Sequence, residues 1–276
     1  MKKKSVISLI SYDAAYLPES VSKYYNYVDE IILGLDKNRT TWSGNSFSFD
    51  EKQLWADLSA IDGDSKISII EEDFVKSKVA IENDNYERNF LKAQCTNDWI
   101  FSIDADEYLI NTKDFFYNYC PLVERYYNKA DICMTWATPY KTIDDITLVI
   151  ANEDGTPFFG ENQGMTTSKD STFTYARWTN KSAAGHNRLL SPLVAIHWSL
   201  CRDKKDLHEK INNIGHSDLV ENDPFYQIWD QVTMDNYQEL HNFKTSGLGQ
   251  AQWPTLRAIS SDEVTSYIDQ HLDRAY

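Results

Sequence analysis

Long apolar runs are missing from this chain. No stretch approaches the ~20 residues that a membrane-spanning helix requires. Cysteine is scarce: Cys95, Cys120, Cys133 and Cys201 are the four in 276 residues. No two stand at a metal-ligand spacing and no disulfide framework is visible, so buried free thiols in a reducing compartment are expected. Positive charge is also short. Lys and Arg total 27 against 42 Asp and Glu, a formal net charge of -15, which disfavours a non-specific binder of nucleic acid or anionic membranes. Internal repeats and low-complexity linkers are absent. The opening MKKKSVISLISYD imitates a signal peptide, but its apolar part, Val6 to Ile10, is short, holds a serine and lacks a small-residue cleavage site. It reads as a first strand, and the expectation is a soluble, cytoplasmic protein.

Hydrophobic residues make up 42%, enough for a sizeable core and against disorder. One large domain or two small ones are expected at this length. Aromatics are plentiful, with 17 Tyr and 8 Trp. Ring faces suit sugars and bases, although most rings serve packing.

The first third alternates strand and helix. Ser5 to Ser11, Val28 to Leu35, Lys66 to Ile70 and Trp99 to Ile103 read as strands. Pro18 to Tyr27, Asp50 to Ile61 and Tyr86 to Thr96 read as helices between them, the pattern of a parallel nucleotide-binding half. Further on, Phe115 to Tyr127 and Lys204 to Asn213 read as helices, and Ala130 to Thr138 and Asp145 to Ala151 as strands. The polar stretch Gly155 to Asn180 reads as loops and hairpins around a site. Leu189 to Trp198 reads as a strand that Pro192 places at an edge or makes start there.

The segment WIFSIDADEYL, Trp99 to Leu109, is the most informative. An apolar run ends abruptly in Asp104-Ala105-Asp106-Glu107. Ligands of open α/β sheets sit beyond the carboxyl ends of strands. Three carboxylates there repel one another and raise one another's pKa values. A bridging cation removes the conflict, and oxygen ligands favour Mg²⁺ or Mn²⁺, which often also hold phosphates. The alternative is an acidic strand end in an acid-rich chain. Asp62-Gly63-Asp64 is a second DxD in polar, Gly-containing sequence, and it reads as a turn.

The N-terminal strand, the second strand ending at Asp36, and ERNFLKAQCTNDWIFSIDADEYL with Arg88-Asn89 upstream of the DxD resemble glycosyltransferases of the GT-A fold, most of all the family-2 group. The segment AIHWSLCRDKKDLHEKINNIGHS resembles relatives in which a strand-end His precedes a helix and a Gly-His pair. The resemblance covers Ser5 to His216. It implies an α/β GT-A (Rossmann-like) fold with a mixed central sheet flanked by helices. Residues 1–216 would form the transferase domain, with a donor half to about 110 and an acceptor half over about 111–216. Residues 217–276 would form a helical extension packed on the same domain.

The resemblance also implies a function, a metal-dependent transfer of a hexosyl or pentosyl group from a nucleotide-sugar donor, preferentially UDP-linked. The metal, Mn²⁺ or Mg²⁺, would act on the leaving diphosphate as Lewis acid and template. Asp106 is implied as metal ligand. Asp104 takes the ribose side or metal-bound water, Ala105 lies against the nucleotide, and Glu107 is a solvated acid. His197 is a further metal ligand or a hydrogen-bonded strand-end His, with Mn²⁺ suited to imidazole. His216 holds metal or diphosphate, or sits in a Gly turn. Ser11, Tyr12 and Asp13 after strand one and Asp36 after strand two form the base end, where an acid accepts the imide N–H of uracil; for Asp36 a turn cap is the alternative. Arg88 and Asn89 face the nucleotide, Arg88 pairing with the diphosphate or with Asp104, while Lys92 is solvated. Asp145 and Glu161 are base candidates, each otherwise a solvated acid. The acceptor is open between a glycan, a protein, a small molecule and a modified base, with Lys181, Arg188, Arg202, Lys204 and Lys205 available to a phosphate-bearing one. Nucleotidyl transfer, nucleotide-sugar hydrolysis and non-catalytic carbohydrate binding are the competing readings.

Overall fold

The computed structural model describes residues 2–127, 131–180, 188–215, 225–244 and 253–275. Its first strands are those the apolar runs imply. β1 (Lys4–Ile10) is buried at every position, followed by helix α1 (Leu17–Tyr24), which carries Pro in its first turn where no N–H is needed. β2 (Glu30–Asp36) leads through a long loop to α2 (Glu51–Ile61), whose N-terminus is capped by the Asp50 carboxylate accepting the Gln53 N–H. β3 (Ile67–Glu72), α3 (Ala80–Gln94) and β4 (Trp99–Ser102) complete the half. β1, β2, β3 and β4 pair in parallel; β3 is the exposed edge, and the buried β1, β2 and β4 are rich in apolar residues, as inner parallel strands are. Asp62 takes the turn role expected of it: its Oδ1 accepts the Lys66 and Ile67 backbone N–H groups and the Tyr25 hydroxyl.

Beyond β5 (Glu107–Leu109) and a helical run ending in Cys120–Tyr126 come β6 (Asp131–Ala137), β7 (Pro139–Ile143), β8 (Ile146–Ala151) and β9 (Glu161–Ser168). The short hairpin β10 (Phe173–Tyr175) and β11 (Trp178–Thr179) precedes β12 (Arg188–His197). Eight strands form one sheet in the order β3-β2-β1-β4-β9-β6-β12-β5. This is a mixed sheet flanked by helices, the Rossmann-like arrangement of a GT-A fold.

Three expectations change. The polar stretch after Gly155 is not all loop: β9 sits between β4 and β6 in the main sheet. β12 is interior, between β6 and β5, and Pro192 is accommodated at a register break between Leu190 and Val194. Asn111 closes that break, donating to the Pro192 carbonyl and accepting the Val194 N–H. The segment beyond 217, expected to be helical, also contributes β13 (Thr255–Ser260), antiparallel to β8 in a separate three-stranded sheet with β7. Its Trp253 and Leu256 share a core with Tyr140, Leu148, Leu207 and Trp229. Among the described residues no helix is long and apolar enough to cross a membrane.

α3 lies against the sheet where β2 carries Gly34. A Cβ at Gly34 would stand 2.6 Å from Leu91 Cδ1 and 2.7 Å from Glu87 Oε1. Both neighbours are buried, so their side chains or the helix must shift. Gly34→Ala is expected to destabilise the fold by about 1–3 kcal/mol, an overpacking cost, read as a lowered Tm in a thermal melt.

Candidate active site

The strand order reverses between β1 and β4, with β2 and β3 on one side and β9, β6, β12 and β5 on the other. Such a switch point opens a crevice beyond the carboxyl ends of the strands. A cavity of about 590 Å³ lies there. Ser11, Tyr12 and Asp13 from the tip of β1, Asp36 from β2, and Asp104, Ala105 and Asp106 after β4 all line it. Its walls come from farther away: Arg88 on α3, Arg177 on the β10–β11 hairpin, His197 at the end of β12, and Lys210 on the Lys204–Asn213 helix.

The α3 wall is unusual for a packed helix. The stripe that faces the sheet, Asp84, Glu87, Arg88 and Leu91, has the i, i+3, i+4, i+7 spacing of a buried face, yet three of its four members are ionisable and all are buried. Arg88 resolves this burial. Its Nε donates to Asp84 at 2.6 Å, and its Nη1 donates to Ser102 Oγ at 2.7 Å and to Asp104 Oδ1 at 2.9 Å. Burial opposes ionisation of Asp104, but Arg88 and Arg177 outweigh it and hold the carboxyl at about 2. Asn89, expected to face the nucleotide, does not line the cavity. It holds the hairpin instead, accepting the Phe173 N–H at 2.9 Å and donating to the Phe173 carbonyl at 2.9 Å. Lys92, expected in solvent, is buried and donates to the carbonyls of Lys169 and Ser171.

Asp106 is 1% exposed. Its Oδ2 accepts from Arg202 at 2.7 Å and from Lys210 at 2.7 Å. Burial again opposes ionisation, and the charges of Lys210 and Arg202 reverse it, leaving the carboxyl well below the usual range. His197 Nε2 is 3.9 Å from Asp106 Oδ1, and its ring stacks on Trp136 with centroids 3.9 Å apart. Burial lowers His197 to about 3 despite the carboxylate, so the imidazole is neutral near pH 7.

Glu107 is not a solvated acid: it is fully buried. Arg177 donates to it from Nη1 at 2.7 Å and from Nη2 at 2.5 Å, Trp136 Nε1 at 2.8 Å, and the Asp104 backbone N–H at 3.0 Å. The β10–β11 hairpin carries Arg177 to this position through Ala176, whose φ of 48° lies in the left-handed region. Arg177, Arg202 and Lys210 were missed as donor-site residues because no local pattern marks them. Only the buried acids they answer, read as acids needing counter-charge, point to their existence.

The repulsion among the strand-end acids is thus relieved by arginine and lysine. A divalent ion fits this arrangement poorly. Both charge-assisted bonds to Asp106 Oδ2 are filled, Asp104 faces Arg88, and an ion shared by Asp106 Oδ1 and His197 would stand beside Lys210 and Arg202. Among the described residues no group of three or more His, Cys, Asp or Glu is arranged to hold a metal. His216 lies outside the described residues.

The remaining expected residues divide. Asp13 lines the cavity 3.3 Å from Arg202 and 3.9 Å from Lys210; burial raises its carboxyl while those two cations lower it. Both oxygens of Asp36 accept backbone N–H groups, from Asn38 and Thr40 on one side and Phe74 on the other. Glu161 lines the cavity in an ion pair with Lys244. Asp145 is exposed on the β7–β8 turn and is not part of the cavity.

At the β2 side of the cavity, burial raises the Glu87 carboxyl to about 8, against the Trp42 Nε1 hydrogen bond of 2.7 Å that favours its charge. A carboxyl raised on folding binds more protons in the folded state, so its contribution to stability is full below pH 4.5 and is lost as pH rises through 8. Glu87→Gln keeps an acceptor for Trp42 without the titration. Urea unfolding at pH 5 to 9 is expected to show the wild-type protein losing stability relative to Glu87→Gln as pH rises.

No protein-family model and no curated protein match the chain. Solved structures do match at low identity. The S. aureus TarS fragment is 11% identical over 85% of this chain and 76% of that one, with a TM-score of 0.42. Glucosyl-3-phosphoglycerate synthase of M. tuberculosis is 11% identical over 92% and 88%, with a TM-score of 0.42. A UDP-glucose pyrophosphorylase complexed with UDP-glucose is 10% identical over 100% and 98%, with a TM-score of 0.32. These values assign no activity, and the fold stands on the strand order of this chain.

Proposed function

We propose that this protein is an enzyme acting on a nucleotide-linked sugar, and that it transfers the sugar to an acceptor. The observation that carries the reading is the convergence at one switch point of three strand tips, two ionised acids and the cations Arg88, Arg177 and Lys210 on a cavity of about 590 Å³. That volume is in the range of small-molecule sites. Preorganised cations in a buried site stabilise charge that develops on a departing diphosphate. Asp104 and Asp106, fixed in their ionised forms, suit the hydroxyl groups of a ribose or a sugar, which donate to carboxylates. Trp136, Trp178 and Tyr175 also line the cavity, with ring faces of the kind that sugars stack on. Glu161, paired across the sheet with Trp136, also lines the cavity and is proposed as the group nearest an acceptor.

A second reading has its own support. The same three cations suit a triphosphate that loses pyrophosphate, which is nucleotidyl transfer. The two differ in the bond broken. Sugar transfer breaks the anomeric C–O bond and releases a nucleoside diphosphate; nucleotidyl transfer breaks a P–O bond of a nucleoside triphosphate and releases pyrophosphate.

The test is a panel of nucleotide sugars, and of nucleoside triphosphates with sugar 1-phosphates, with and without Mn²⁺, read as released nucleoside diphosphate or pyrophosphate. Nucleoside diphosphate release from one nucleotide sugar is the expected result, and Asp106→Ala is expected to slow it by about 10²-fold or more. Pyrophosphate release would replace sugar transfer with the second reading. Release of neither, with no nucleotide bound, would remove both.

A further inference from the structure

Four cations answer the strand-end acids, and they are not equivalent. Arg202 has no exposed side-chain surface, and its donors go to Asp106, Asp13, Asp206 and the Trp198 carbonyl. It is a buried counter-ion with nothing to offer a ligand. Arg88 is 3% exposed and bound to Asp84, Ser102 and Asp104. Arg177 is 4% exposed and fixed on Glu107. Lys210 differs. It lines the cavity, its side chain is 15% exposed, and one short bond to Asp106 Oδ2 positions it, with Asp13 farther off at 3.9 Å. An ammonium has three donors. Asp106 keeps a second counter-ion when Lys210 turns, because Arg202 bonds the same oxygen at 2.7 Å.

Resting on the functional reading above, we infer that Lys210 holds the diphosphate of the ligand, with Asp106 as its fixed counter-ion, and that diphosphate binding at this site does not require a divalent cation. Two features set Lys210 apart for this. It stands over the acid that the DxD pattern assigns to a metal, so it occupies the cationic position beside Asp106. Its long stem ends at the cavity surface, where a compact ammonium can turn a donor to a phosphate oxygen while keeping its bond to Asp106. The closed geometry of Asp106 Oδ2 and the pairing of Asp104 with Arg88 argue in the same direction.

The test is calorimetric titration of the full chain with UDP, GDP, CDP and ADP, once in EDTA and once in Mn²⁺, with the matching nucleosides as controls. At least one diphosphate is expected to bind in EDTA with an affinity close to that in Mn²⁺. Lys210→Met is expected to weaken that binding by about tenfold or more, the size of one charged hydrogen bond, and to leave the nucleoside unaffected. Lys210→Arg, which keeps the charge, is expected to retain most of the affinity. Binding seen only with Mn²⁺ overturns the inference and leaves the functional reading standing; this comparison uses the wild-type protein and does not depend on a variant folding. Equal diphosphate affinity in EDTA for folded Lys210→Met and wild type also overturns it. Failure of all four diphosphates in both buffers overturns the functional reading and the inference together.

Discussion

The site depends on one buried ion pair, Glu107 with Arg177. Glu107 is fully buried, and a lone carboxylate there would carry a desolvation cost of several kcal/mol. Every strong acceptor direction is used: two guanidinium nitrogens, the Trp136 indole and the Asp104 amide. The backbone is engaged as well, since the Glu107 carbonyl accepts the Ser20 hydroxyl of α1. One residue therefore joins α1, the β4–β5 turn, β6 and the β10–β11 hairpin. The turn that presents Asp104 and Asp106 is held by this side chain from within, and the hairpin that roofs the cavity is held by its counter-ion. Removing either partner would leave a buried charge unpaired, the costliest way to break such a pair.

From that pair outward, the site follows a rule of charge matching between distant parts of the chain. Asp104 meets Arg88 from α3, Asp106 meets Arg202 and Lys210 from beyond β12, and Asp13 leans on the same two. Acids come from the strand tips because the switch point gathers tips. Cations come from two helices, a hairpin and the bend that follows β12. Asp104 and Asp106 stay ionised despite burial, as their depressed carboxyls record. The result is a polar floor fixed before any ligand arrives, the condition under which dipoles and charges act without reorganising.

This explains which parts of the site are legible in the sequence. Parallel strands buried on both faces are near-continuously apolar, so β1, β2 and β4 announce themselves, and the acids after β4 stand out because an apolar run stops at them. Chain order then suffices to bring Asp13, Asp36 and Asp104 to one edge. The cations obey no such local rule. Arg177 lies 70 residues from Glu107, in a stretch without apolar periodicity, and its place follows only from the long return of the chain. Glu107 was misread for the same reason: beside two other acids it looks solvated, and only its partner buries it. Asn89 shows the converse. A polar residue next to Arg88 on a helix turns about 100° away, so adjacency in sequence sends one to the site and the other to the hairpin.

β9 shows why the second half of the chain is harder to read. Its sequence, ENQGMTTS, has one apolar residue, yet it lies inside the sheet with Gly164 to Thr167 buried. Two constraints produce that composition. Glu161 and Gln163 face the cavity, so the leading end of the strand must be polar. Gly164 passes under the hairpin, where a Cβ would stand 2.9 Å from the Arg177 carbonyl, so the middle has no room for a side chain. A strand that both lines a polar cavity and carries the hairpin above it cannot present the apolar run that would reveal it. The same closeness of β9 to Arg177 sets the height at which the guanidinium reaches Glu107. The least legible strand of the sheet thus positions the ion pair on which the most legible motif depends.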